Sequence, residues 1–357
     1  MTPSMTQGLP VISFITTHIE VVGLIFLTLF VAFILLQQRR SPQSTVAWIL
    51  FLIMLPYVAA PLFLGLGFRK QGNRYEPVLF TTKEEPPTPV HALDATFQHF
   101  MMPPALEAQR LTLLDTPQLA FQAALDTIDS AEHSIDVLFY IIANDGTAKH
   151  FVQALTDKAR KGVHVRLLMD RLGTLRGPHE ALKALKAAGG EVLFFSPILQ
   201  LPGTGHLNLR NHRKMIIADN ARAFSGGMNV ADHYMTHTPK PVQSFCDVFR
   251  SDWEVASGTP TPQVVTPAPK TGGNATVQLV PSGPDIAEDP LHDGLIRAIH
   301  LAESRIWIAT PYFVPTEALA NALRIASRRG VDVRIIVPQK SNQRIADFAR
   351  GGFLRDV

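Results

Sequence analysis

The chain has 357 residues, 46% apolar and 18% charged, enough for one large domain or two medium ones and too apolar for a disordered segment. Its net charge of +3 suits an anionic surface such as lipid headgroups or nucleic acid, although a plain solvated basic surface explains it more simply. A single cysteine, Cys246, excludes an intrachain disulfide and a Cys-rich zinc site, and beside Phe245 and Val248 it reads as a small core residue.

The first predicted elements are apolar. From Leu9 the chain is broken only by His18, Glu20 and a few small polar residues; Val21–Leu36 gives 16 uncharged residues, and Thr45–Phe68 a further 24. At 1.5 Å per residue the second run is long enough for a hydrocarbon core of about 30 Å, with Pro56 and Pro61 expected to kink it. The link Gln37–Ser44 carries Arg39 and Arg40, so residues 9–70 are expected to form a two-helix transmembrane hairpin with antiparallel spans. No Lys or Arg precedes Arg39, which argues against a secretory signal peptide. Two basic residues in the link stand against Arg69, Lys70, Arg74 and Lys83 beyond the second run, which favours a cytoplasmic main domain.

Residues 71–104, polar and Pro-rich around Lys83–Pro89, read as a linker. A pattern then appears twice. Ile128–Ile141 (IDSAEHSIDVLFYI) is followed by Ala154–Asp170, and Ile299–Phe313 (IHLAESRIWIATPYF) by Ala322–Pro338. Ala131 matches Ala302 and Gly162 matches Gly330, offsets of 171 and 168 residues. Each copy runs from an amphipathic helix into a β-branched strand. A second helix follows, stopped at a basic stretch and a glycine, and then a buried strand, Val163–Met169 or Val331–Val337. Strands alternating with helices predict an α/β fold with a mixed sheet flanked by helices. The two copies predict two similar lobes, residues 105–258 and 277–357, joined by a linker at 259–276.

The sharpest local signal is His212-Arg213-Lys214 with Asp219, of the form H-x-K-x4-D, followed by Gly226-Gly227-Met228-Asn229. Leu209–Ala218 reads as a strand, Asp219–Asn220 as a turn and Ala223–Ser225 as the returning strand. Side chains at i and i+2 of a strand share a face, so His212 and Lys214 should enter one site together. An imidazole can attack phosphorus and form a covalent intermediate, and an adjacent ammonium can hold the phosphate oxygens. Gly226 and Gly227 would let backbone N–H groups approach a phosphate, and Asn229 could donate a further hydrogen bond. Asp219 has the opposite strand parity, and is expected to orient a histidine or fix the turn rather than touch the phosphate.

This string resembles the first of the two signature motifs of the phospholipase D superfamily. Arg40–Pro56, Tyr140-Ile141, Gly189–Pro197, Asp252-Trp253-Glu254, Ser282-Gly283-Pro284-Asp285 and Thr310–Pro315 resemble its bacterial cardiolipin synthase branch, over a resemblance running from about residue 21 to the end. The resemblance implies a hairpin-anchored phospholipase D-type lobe and an incomplete second one. It implies His212, Lys214 and Asp219 as catalytic residues and Gly226, Gly227 and Asn229 as substrate-binding. It also implies no metal or other cofactor, phosphatidylglycerol and anionic lipids as partners rather than nucleic acid, and a bacterial inner (cytoplasmic) membrane location. The implied reaction is a two-step transfer. One histidine takes the phosphatidyl group of phosphatidylglycerol and releases glycerol; the hydroxyl of a second phosphatidylglycerol then attacks to give cardiolipin, with the other motif's histidine as acid and base.

The repeat offset carries His212 to position 380, past Val357, so the sequence reads as a chain cut short before the second motif. As it stands it would be inactive or would complete its site with another chain. Two other readings compete: a hydrolase of the same superfamily, acting on phospholipid or nucleic acid with water as acceptor, and a non-catalytic membrane protein.

Overall fold

The computed structural model describes residues 8–38, 40, 42–67, 78–80, 87–114, 116–195, 210–231, 242–262, 273–283, 285–286, 288–341 and 344–356. Helix α1 (Gly8–Gln37) is 30 residues long. Its segment Thr16–Gln37 is long and apolar enough to cross a membrane and is mostly unburied, with Phe26, Phe30 and Phe33 all exposed. Exposed apolar surface of this kind costs about 25 cal/mol per Å² in water, which lipid relieves.

The second apolar run bends sharply at Pro56, one of the two prolines expected to kink it. Pro56 has no N–H to donate, and the chain breaks at Leu55 (φ −138°, ψ 62°) into α2 (Pro42–Met54) and α3 (Pro56–Leu66), of 13 and 11 residues. Val31 and Leu35 of α1, Leu52 of α2, and Ala59, Ala60 and Phe63 of α3 form one buried cluster. One long apolar helix thus carries two short ones.

The expected linker 71–104 contains α4 (Ala92–His99), which is integrated into the fold. Buried Asp94 accepts from Val90 N and Ala105 N, each at 3.0 Å, and from Gln278 Nε2 at 2.9 Å. Strand β1 (Leu106–Gln109) pairs antiparallel with β7 (Ala275–Val277), which tethers the two repeats beside α4.

The first repeat is α5 (Pro117–Asp129), β2 (Ser134–Phe139), α6 (Gly146–Arg160) and β3 (His164–Asp170). It continues with α7 (His179–Ala187), β4 (Glu191–Phe195), β5 (Met215–Ala218), β6 (Arg222–Ser225) and α8 (Val242–Ser257). The sheet order is β4-β3-β2-β5-β6, with β2, β3 and β4 parallel and β5 and β6 antiparallel to their neighbours. Ile135, Val137, Phe139, Val165 and Leu167 face α5, α6 and α7, while Leu138, Leu168, Met215 and Ile217 face Phe245, Phe249 and Trp253 of α8. Both faces are covered, which is why these strands read as apolar runs without alternation.

The second repeat is α9 (Pro290–Leu301), β8 (Arg305–Ala309), α10 (Glu317–Arg328) and β9 (Asp332–Ile336), with β8 parallel to β9, followed by α11 (Arg344–Asp356). Gly162 and Gly330 both have φ +87°, the left-handed stop expected at equivalent positions of the two copies.

Candidate active site

Paired strands β2 and β5 set the site. Leu138 pairs with Met215, the first residue of β5. The strand expected from Leu209 thus begins at Met215, and Asn211–Lys214 is an extended lead-in lying beside Tyr140, just beyond the end of β2. The parity argument holds across that lead-in. The His212 imidazole stacks on the Tyr140 ring, 3.9 Å between centroids at 20°, and Lys214 Nζ lies 5.5 Å from the same ring's centroid. Lys214 Nζ also donates to the His212 carbonyl oxygen.

The electrostatics set useful protonation states. Partial burial and the Lys214 ammonium hold the His212 imidazole below its ordinary value, against the opposing pull of the Asp170 carboxylate. Burial pushes Lys214 down to about 8. Near neutral pH the imidazole is uncharged, with a lone pair to offer, beside a largely protonated ammonium.

Three supports hold this arrangement. Asp170, at the carboxyl end of β3, accepts from Leu172 N at 2.9 Å and from Gly173 N and Asn211 N at 3.3 Å, with Arg210 Nη1 3.8 Å away. Burial raises its pKa, opposed by these hydrogen bonds and by Arg210. A Cβ on Gly173 would lie 2.1 Å from the Tyr140 carbonyl oxygen, so only glycine lets this turn approach.

Asn229 provides the second support. Its Oδ1 accepts from Ile141 N at 2.9 Å, Val230 N donates to Ile141 O at 3.0 Å, and Ala143 N donates to Val230 O at 2.9 Å. The expected phosphate donor thus stitches the Gly-Gly-Met-Asn segment to the backbone next to Tyr140. Ser225 pairs with Met215 and its Oγ donates to Lys214 O at 2.8 Å, so Gly226 and Gly227 follow directly beside the motif.

The third support lies behind the motif. Arg213 points to the side opposite His212, where Nη1 meets Asp252 Oδ1 of α8 at 2.6 Å and Nη2 meets Asp285 Oδ1 at 2.7 Å, all three side chains buried. Burial disfavours the guanidinium's charge, but the two carboxylates outweigh it and raise the Arg213 pKa; burial, with Asp285 alongside, holds Asp252 above the carboxylate range against Arg213. Gly283 has no room for a Cβ, which would meet Arg213 Nη2 and Asp285 Oδ1 at 2.5 Å.

Asp219 is not brought to the histidine. It sits at the far end of β5, about 13 Å along the strand from Met215. Its carboxylate accepts from Glu132 N at 2.7 Å, His133 N at 2.8 Å and Ser134 N at 2.7 Å, and both Asp219 and Asn220 have φ +50°. Of the two roles expected, it fills the turn-fixing one. Burial would raise its pKa, but the three amide donors outweigh that and lower it.

Arg166 is internal. It pairs with Asp136 through two 2.7 Å hydrogen bonds and lies over the Phe249 and Trp253 rings. Arg171 covers Phe194, while Arg176 and His179 are exposed. His206, His233 and His237 lie outside the described residues. Cys246 is partly buried against the core, its thiol pushed up to about 12 by burial, as expected of a core residue. Sequence reasoning passed over Asp170 and the Arg213 clamp. The available signals were an Asp three residues before a glycine at the carboxyl end of a parallel strand, where α/β sheets place their sites, and the odd parity of Arg213.

The family model described as "Cardiolipin synthase, PLD-like domain" matches residues 124–238 and 295–357. "Cardiolipin synthase 1" of Bacillus cereus is 32% identical over 89% of this chain and 71% of its own length. "Cardiolipin synthase" of Geobacillus thermodenitrificans is 30% identical over 92% of this chain and 72% of its own. Among solved structures, the phosphatidylserine synthase of Haemophilus influenzae is similar at a TM-score of 0.49 and 14% identity, over 72% of this chain and 70% of that one.

Proposed function

The chain belongs to the cardiolipin synthase family of phospholipase D-like proteins, and on that premise we propose that it transfers a phosphatidyl group from one phosphatidylglycerol to another, with His212 as nucleophile. A ring nitrogen of neutral His212 attacks the phosphodiester phosphorus. The new P–N bond forms as the P–O bond to glycerol breaks, and glycerol leaves with a proton. The hydroxyl of a second phosphatidylglycerol then displaces the imidazole, giving cardiolipin and the free histidine. Lys214 holds the non-bridging oxygens and offsets charge in both transition states. By the resemblance, the histidine of a second motif supplies and takes back the proton; the 357 residues contain one such string.

In this reading Asn229 and Arg213 are positioning residues, Asp219 fixes the turn after β5, and the backbone of Gly226 and Gly227 borders the phosphate. The phospholipase D-type lobe spans residues 105–258, and residues 277–357 are part of a second. The enzyme sits at the bacterial inner membrane, anchored by α1, with its main domain on the cytoplasmic face.

The observation that carries the proposal is the His212 imidazole and the Lys214 ammonium gathered on one aromatic ring, Tyr140. The test is product analysis on phosphatidylglycerol vesicles. Transfer predicts cardiolipin and free glycerol in equal amounts, both lost in His212→Asn. Phosphatidic acid in place of cardiolipin would identify the hydrolytic reading, in which water takes the adduct.

A further inference from the structure

We propose that α2 and α3 form a re-entrant hairpin in one leaflet, entering and leaving the bilayer on the side where α1 ends, so that α1 alone crosses it. Lengths give the first argument. At 1.5 Å per residue, the 13 residues of α2 and 11 of α3 reach about 20 Å and 16 Å, short of a core of about 30 Å.

Pairing gives the second. Trp48 of α2 packs edge-on against Phe63 of α3, 5.2 Å between ring centroids, on either side of the break at Leu55. Arg40, just past the end of α1, lies 5.4 Å from the Phe63 ring centroid and donates to the Gly67 carbonyl. The end of α3 is thus tied to the end of α1. With Phe63 and Gly67 brought back to Arg40, α3 runs from the break at Leu55 towards the end of α1, and Leu35 and Phe63 fall in one buried cluster.

The turn itself gives the third. Ile53, Met54, Leu55, Tyr57 and Val58 are exposed, and in Ile53–Val58 only the Tyr57 hydroxyl is polar among the side chains. A turn at an aqueous face would be expected to show polar residues here. Part of its backbone is paired within the turn. Leu55 N donates to Phe51 O at 2.9 Å, Leu55 O accepts from Val58 N at 3.0 Å and Ala59 N at 2.8 Å, and Pro56 has no N–H to satisfy. On this topology Arg39, Arg40, Arg69, Lys70, Arg74 and Lys83 all follow the single crossing on one side, which strengthens the cytoplasmic placing.

The test uses the full chain in its membrane, with Cys246→Ser as background and an impermeant maleimide applied to spheroplasts and to inverted vesicles. Gln43→Cys and Leu79→Cys should react from the same face, and Phe14→Cys from the other. Leu55→Cys should react roughly tenfold more slowly from either face, because the reagent needs a hydrated thiolate. A Leu35→Cys/Phe63→Cys pair should join through a short bismaleimide, whereas a straight two-span hairpin would hold those residues ~25 Å apart. Reaction of Gln43→Cys and Leu79→Cys from opposite faces, or failure of the pair to join while both thiols react after denaturation, would overturn the proposal. None of these readouts depends on catalysis.

Discussion

Replacing Asp219 separates a structural aspartate from a catalytic one. Its carboxylate takes three backbone N–H groups at 2.7–2.8 Å from a turn that is itself partly exposed. At a net value of roughly 1 kcal/mol each, reduced for solvent screening, the three amount to about 2 kcal/mol. Alanine adds about 1 kcal/mol more, because position 219 has φ +50°, which Asp and Asn tolerate and Ala does not. Asp219→Ala should therefore cost about 3 kcal/mol and Asp219→Asn about 1 kcal/mol. At roughly 2–4 °C per kcal/mol for a domain of this size, the midpoints fall by about 9 °C and 3 °C. Circular dichroism melts of the detergent-solubilised chain would measure this. The pH dependence has a definite sign. The pKa of Asp219 is lowered on folding, so its contribution is present above the unfolded value near 4 and is lost as pH falls through the folded one. Asp219→Asn should remove that acid-side loss. The rate of covalent adduct formation, measured below both melting points, should stay within about threefold of the parent. An unchanged melt with a rate lowered ~100-fold would refute the structural assignment.

Adduct formation should follow a bell in pH. It falls on the acid side as His212 protonates below its ordinary value, and on the alkaline side as Lys214 deprotonates around 8; a flat profile between 5 and 9 contradicts the assigned protonation states. In Tyr140→Leu the acid limb should move upward and the rate drop roughly tenfold or more, whereas Tyr140→Phe keeps the ring and the limb. Arg213→Met strands two buried carboxylates and should cost about 3–5 kcal/mol in urea unfolding, part of it recovered on adding Asp252→Asn and Asp285→Asn. Gly173→Ala drives a methyl into the Tyr140 carbonyl and should slow adduct formation more than it lowers the melting midpoint; the reverse ranking would detach Gly173 from the site.

Much of the fold could be read from the sequence because its signals are local. The repeat placed α5 through β3 and α9 through β9, with glycine stops at Gly162 and Gly330, since a left-handed residue after a helix is a local demand. The shared side of His212 and Lys214 followed from period two. What was missed depends on partners far along the chain. Asp219 became structural because residues 132–134 present amides to it, and no spacing within the motif reveals that. Arg213 meets Asp252 and Asp285, 39 and 72 residues on. Hydropathy sums over the whole second apolar run, while the return of α3 to Arg40 depends on packing against α1. Helix α4 fell within an apparent linker because the hydrogen-bond partners of Asp94 include Gln278.

The central claim is a phosphorus–nitrogen bond on His212. The chain would be incubated with phosphatidylglycerol, quenched in alkali to preserve phosphoramidate, digested and sequenced by mass spectrometry. A phosphatidyl adduct on the peptide containing His212, absent from His212→Asn and scarce in Lys214→Met, is the predicted result. Turnover with no adduct on that peptide, or an adduct that survives removal of His212, would contradict it.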